Sequence, residues 1–205
     1  AQGAGIQTAA AYVGGAVANP PYQTDAHEQY NGSSWTETTE INTARRYANN
    51  TGLYNSLLLA GQGAPAGDQV ESWNGSAWTE VNEINTARGY GGRAGTQTAS
   101  IFASGYTTIT GVNNNESWNG TNWTEVGDMN TARYKLSENG AGTDNTSGIC
   151  AGGDADPAGN VTKTESWNGT SWTEVGDMNT ARDNLGACGI ATAALAFGGE
   201  TAPTN

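Results

Sequence analysis

The chain is short of charge, and above all of positive charge. Only 14% of its 205 residues are Asp, Glu, Lys or Arg, and two lysines (Lys135, Lys163) with six arginines face 20 acids, for a net charge of −12. DNA or RNA would be repelled unless basic residues clustered, and no stretch gathers them, so nucleic acid is excluded as an expected partner. An anionic membrane surface is disfavoured for the same reason. No apolar run approaches the roughly 18 residues of a spanning helix, so no membrane insertion is expected. The acidic balance suits a particle kept soluble by its own repulsion.

Reactive side chains are equally scarce. His27 is the single histidine, with only Asp25 and Glu28 near it in sequence, and it is expected at a surface or inter-strand position rather than in a site. No Gly-x-Ser-x-Gly occurs, and one histidine cannot support a catalytic triad with any assurance. Asp154, Asp156 and Asn160 offer oxygens but not the spacing of a calcium loop, which favours a solvated turn. The two cysteines, Cys150 and Cys188, lie in small apolar runs without metal-ligand spacing. They read as buried core residues, with a disulfide as the alternative. No catalytic residue, metal site or cofactor is therefore assigned, and the expectation is a protein that is not an enzyme. The chain opens Ala1-Gln2-Gly3 without an initiator Met or signal-peptide pattern, as expected of a processed product or a segment of something longer.

Glycine is abundant, at 30 residues, and Asn, Thr, Ser and Ala fill much of the remainder. That mix suits short strands and tight turns. The strongest signal is self-similarity. A motif of the form Ser-Trp-Asn-Gly-x-x-Trp-Thr-Glu recurs with its second Trp at positions 35, 78, 123 and 172, giving periods of 43, 45 and 49 residues. All seven tryptophans, Trp35, Trp73, Trp78, Trp118, Trp123, Trp167 and Trp172, belong to it, and Tyr30 replaces the eighth. Each copy ends in a second block closing on arginine: Arg45, Arg88, Arg133 and Arg182.

Asn-Gly between β-favouring runs is a hairpin signal. A four-residue loop between Trp73 and Trp78 would place the two rings opposite one another on one sheet face, a pairing worth roughly 0.2–1 kcal/mol. The two-residue period then puts Glu71 and Glu80 on that same face, across from each other, with Arg88 as the expected counter-charge. Twelve acids and four arginines recur with the repeats and account for −8 of the net charge, so the acidity belongs mostly to the scaffold. Between the blocks lie apolar small-residue runs (8–15, 56–61, 98–105, 147–153, 192–199) ending in glycine, which read as buried inner strands.

An arginine start, two strands closing on a glycine pair such as Gly14-Gly15 or Gly152-Gly153, then the Trp hairpin: this order resembles the Kelch repeat. The resemblance covers nearly the whole chain. It implies an all-β protein, a β-propeller of four-stranded blades, with four full blades (about 1–44, 45–87, 88–132 and 133–181) and a two-stranded half of a fifth (182–205), in one domain. Kelch enzymes of the oxidase type use copper with histidines and a Tyr–Cys link, which one histidine does not match. The regular Trp-Asn-Gly copies look most like repeats of bacterial surface proteins and aquatic phage structural proteins. The function so implied is a non-enzymatic structural or protein-interaction module exposed on a virion or cell surface, an attachment or decoration component, with a carbohydrate-binding propeller as the alternative.

Residues present in every copy build the blade, while those that differ are better binding candidates. Directly after each repeated arginine the copies diverge, as Arg46-Tyr47, Gly89-Tyr90, Tyr134-Lys135 and Asp183-Asn184. The resemblance places this segment at one mouth of the ring, so Arg46, Tyr47, Tyr90, Tyr134 and Lys135 are the expected platform for a glycan or peptide. The open edge of the half blade is the expected place for a protein partner or additional chain.

Overall fold

In the computed structural model, which describes residues 2–136 and 141–201, the chain is all-β and forms a β-propeller. Blade one comprises β1 (Gln2–Ile6), β2 (Ala9–Ala16), β3 (Gln23–Tyr30) and β4 (Trp35–Glu37). Blade two comprises β5 (Asn49–Leu53), β6 (Ser56–Gln62), β7 (Gly67–Trp73) and β8 (Trp78–Val81). Blade three has β9 (Gly92–Gly95), β10 (Ser100–Tyr106), β11 (Gly111–Trp118) and β12 (Trp123–Val126). Blade four has β13 (Ala141–Asp144), β14 (Ser147–Ala151), β15 (Thr164–Trp167) and β16 (Trp172–Glu174). Among the described residues, strands β17 (Gly186–Ile190) and β18 (Ala193–Phe197) pair only with each other, as the expected half blade. Every pairing is antiparallel and between strands consecutive in the chain.

The outer hairpin forms as its sequence dictates. Trp73 stands directly opposite Trp78, and Glu71 opposite Glu80. The Asn74 side chain accepts hydrogen bonds from the backbone N–H groups of Ser76 and Ala77 at 2.9 and 3.0 Å. Gly75 sits at φ +94°, in the left-handed region that glycine occupies at least cost. The Trp rings tilt at 38° with centroids 5.4 Å apart, and blades three and four repeat this geometry at 5.3 and 5.5 Å.

The core lies between blades. Along β6, Leu57 and Leu59 join Ala11, Val13, Ile41 and the Trp73–Trp78 pair against blade one. Leu58 and Ala60 point the other way, toward Phe102, Trp118 and Trp123 of blade three. This is the two-residue strand period buried on both faces. Each Trp pair thus covers the Ile or Met of the preceding blade: Ile41, Ile84, then Met129. The small-residue runs occupy the second strand of each blade. The strands nearest the axis come before them in sequence, and β1, β5, β9, β13 and β17 pack successively. In the half blade the run is exposed rather than buried, since among the described residues no outer hairpin covers it.

The charge pairing differs from expectation. The partner of Glu71 is Arg45, and Arg88 reaches forward to Glu116 of blade three. Arg133 pairs with Glu165 at 2.8 Å. The arginine that begins each blade therefore clamps the third strand of that same blade, and Glu80 is left exposed to solvent, where its charge is screened. Of the surface or inter-strand position expected for His27, the inter-strand one holds: it is buried on β3, with its ring edge-on to Trp73 and Trp78 of blade two. Cys150 is buried as expected, but Cys188 is exposed, and the two are not bonded.

Candidate functional site

Two surfaces stand out. The first is the mouth where the chain enters each blade. Tyr47 and Tyr90 stack with centroids 4.2 Å apart, and Tyr134 meets Tyr90 edge-on at 6.5 Å and Tyr106 at 4.7 Å. The Arg46 guanidinium lies 5.5 Å from the Tyr47 ring, and the Lys135 ammonium 5.5 Å from that of Tyr134. The five residues singled out from sequence divergence thus form one continuous arc. Tyr106, from the end of β10, joins them without having been marked by the repeat.

The backbone builds this arc. Tyr47, Tyr90, Lys135 and Asn184, each two residues past a repeated arginine, all adopt positive φ, between 50° and 60°. The backbone N–H of Tyr90 bonds the Tyr47 carbonyl, and the N–H of Asn184 bonds that of Lys135. Non-glycine residues held in this region cost of order 1–3 kcal/mol each, which the blade-to-blade hydrogen bonds offset. The Tyr134 hydroxyl donates to Asp154 at 3.1 Å, and burial together with this carboxylate pushes its pKa up to about 12. Lys135 bridges Asp183 at 3.0 Å and Asp154 at 3.7 Å. Burial lowers its pKa, but these acids outweigh that and raise it, so it is a firm cation at neutral pH. Asp154, one of the oxygen-bearing residues noted in the sequence, is thereby engaged in the arc. Behind the tyrosines lies only about 10 Å³ of space, the room of one water. Any ligand here rests on the surface.

The second surface is the gap beside the half blade. In blades two to four a carboxylate on the third strand is held by the same donors. Glu71 accepts from the backbone and side-chain N–H of Asn42 at 2.7 and 2.9 Å and from Arg45. Glu116 accepts from Asn85 at 2.7 and 2.8 Å and from Arg88, and Glu165 from Asn130 at 2.8 and 2.7 Å and from Arg133. Burial lowers the pKa of Arg45 and Arg88, with the paired glutamates opposing the shift.

Compared with known proteins, the chain matches no family model and no curated protein.

Arg182 opens the fifth position of this series and makes no ion pair among the described residues. Its Nε is buried without a hydrogen-bond partner. On the other side of the gap, Trp35 is 50% exposed, whereas Trp78, Trp123 and Trp172 are 6%, 7% and 6% exposed. Leu195 and Phe197 on β18 are 60% and 50% exposed. A central cavity of about 620 Å³, lined by the inner strands and by the buried, unpartnered amide of Asn50, extends to Tyr12, Trp35 and Phe197. Sequence reasoning counted Trp35 and Arg182 as scaffold, because each repeats. The two differ from their counterparts in what packs on them: among the described residues β18 carries no third strand, and Trp35 is half-exposed.

Proposed function

We propose that the protein is a non-enzymatic structural or interaction module exposed on a virion or cell surface, of the Kelch type its repeats resemble. The observation that carries this reading is the apolar wall beside the half blade, where Tyr12, Trp35, Leu195 and Phe197 stand in solvent although most of their equivalents in blades two to four are buried. Contiguous exposed aromatics and aliphatics of this kind mark contact surfaces. The acidic outer surface keeps such a module soluble and turned away from nucleic acid. Antibody raised against the chain should label intact source cells or virions. Labelling that appears only after lysis would remove the surface assignment.

A carbohydrate-binding role is the second reading, and the arc of Tyr47, Tyr90 and Tyr134 flanked by Arg46 and Lys135 favours it. Aromatic rings beside charged donors suit a shallow sugar site. A broad glycan array decides it: a hit abolished by Tyr90→Ala supports the reading, and silence across the array ends it.

A further inference from the structure

Charge changes sign along the tyrosine arc. The residues directly after the repeated arginines run Arg46, Gly89, Tyr134 and Asp183 round the mouth. At the blade-two end, Arg46 makes no ion pair among the described residues. Its Nη2 donates to the Ala64 carbonyl at 2.8 Å and its Nη1 to that of Tyr22 at 3.4 Å, while its Nε is buried. Each terminal nitrogen of a guanidinium carries two N–H bonds, so one on each remains to be used. Two carbonyls thus fix the head group without answering its charge. At the blade-four end the balance is reversed. Lys135 is engaged by both Asp183 and Asp154, two acids against one cation, and Asp156 and Glu200 add their fields to Tyr134 and Lys135. Asp183 Oδ1 is buried without a hydrogen-bond partner. Between the two ends stand Tyr47, Tyr90 and Tyr134, with centroids in steps of 4.2 and 6.5 Å.

These ends set how many charges a ligand can carry and where. A polyanion meets the acids of blade four and a net charge of −12, whose repulsion reaches about 8 Å at physiological salt. A neutral sugar leaves Arg46 unanswered. One carboxylate at the Arg46 end, followed by a neutral and hydroxyl-rich remainder, fits both. We propose that the arc binds an oligosaccharide ending in a single carboxylated sugar, a uronic or sialic acid, and binds it in one direction. The inference rests on the sugar-binding reading of this arc and names the ligand class and its orientation. The carboxylate accepts from the two remaining terminal N–H groups of Arg46, a paired geometry that a guanidinium favours. The apolar faces of the sugar rings rest on Tyr47 and Tyr90. Hydroxyls at the far end donate to the Asp154 carboxylate, which already accepts from Tyr134. A reversed ligand would set its carboxylate against Asp154 and Asp183.

The test is ligand-observed NMR on the full chain. The probes are di- and trisaccharides ending in glucuronic, galacturonic or sialic acid, each beside its carboxyl-reduced counterpart, which keeps the rings and loses the charge. At least one acid-ended sugar should bind saturably, and its reduced counterpart roughly tenfold more weakly, the loss of a charge-assisted hydrogen bond. That comparison needs no variant. Arg46→Gln should remove the difference between the two sugars. Lys163→Gln, the same change of charge outside the arc at a lysine paired with Glu174, should preserve it. An acid-ended sugar that binds no better than its reduced counterpart, or whose advantage survives Arg46→Gln, overturns the proposal. Sugar binding then persists without an acid preference, and the carbohydrate reading stands. No saturable binding by any member up to roughly 10 mM ends both.

Discussion

Replacing Arg88 with methionine should cost about 3–5 kcal/mol of stability, while the same change at Arg182 should cost about 1 kcal/mol or less. The two arginines occupy the same place in the repeat, so sequence alone assigns them equal weight. Arg88 is fully buried and donates to the carbonyls of Ser104 and Phe102 at 3.0 Å, to that of Thr86 at 2.9 Å, and to the Glu116 carboxylate. Its loss strands a buried carboxylate and three carbonyls at once, with only Asn85 and Thr86 left to hold Glu116. Methionine refills much of the volume, so the cost is electrostatic rather than a cavity. Arg182 is half-exposed and donates to Gly198, and among the described residues it has no carboxylate partner to strand. Urea unfolding of both variants and the parent, followed by Trp fluorescence, measures the difference at constant denaturant slope. Equal losses at the two positions, or a loss under about 1 kcal/mol at Arg88, would refute the view that the clamp depends on a filled neighbour. Glu116→Gln provides the complementary case, leaving the guanidinium buried and unpaired, and should also cost several kcal/mol.

The other expectations concern burial and titration. Trp123→Ala should cost about 3–5 kcal/mol, whereas Trp35→Ala, at the open wall, should cost far less in the same urea assay. Burial depresses the pKa of His27, with a contact to the Thr39 carbonyl opposing it. That burial, against the Trp73 and Trp78 rings, favours the neutral imidazole in the folded protein. The unfolded chain then takes up the proton more readily than the folded one. Stability should therefore fall as pH drops below the ordinary histidine value of 6.5, by up to about 1.4 kcal/mol per unit, and His27→Gln should remove that slope. A thiol reagent should modify one cysteine of the native protein, Cys188. Cys150, buried with its thiol pushed up to about 12, should react only on unfolding, and two fast-reacting thiols in the native state would contradict the packing.

Much of the fold was legible because its signals are local. The Asn-Gly turn fixes the register of the hairpin, so Trp73 opposite Trp78 and Glu71 opposite Glu80 followed from spacing alone. The assignment of Arg88 to Glu71 failed because closeness in sequence suggested a partner in the same copy, whereas the chain turns inward after the arginine and begins a new blade. The depth of burial of His27 was hidden for a related reason. Gln23–Tyr30 reads as a polar strand, and the Trp pair that buries the histidine arrives 46 and 51 residues later. The tyrosine arc was found through departures from the repeat. Arg182 could not be found that way, because it matches Arg45, Arg88 and Arg133 in sequence and differs in having no ion pair among the described residues. The exposed run on β18 hid likewise, since Ala and Leu look the same whether or not another strand lies over them.

The forward reach of each arginine gives the array a direction. Its leading face offers the Arg182 guanidinium without an ion-pair partner among the described residues, and its trailing face offers the exposed rings of Tyr12 and Trp35, so the two ends of the series are unlike. A two-fold dimer needs one patch that complements itself, whereas unlike ends suit head-to-tail contact, which adds units with one polarity until the turn closes or the series is capped.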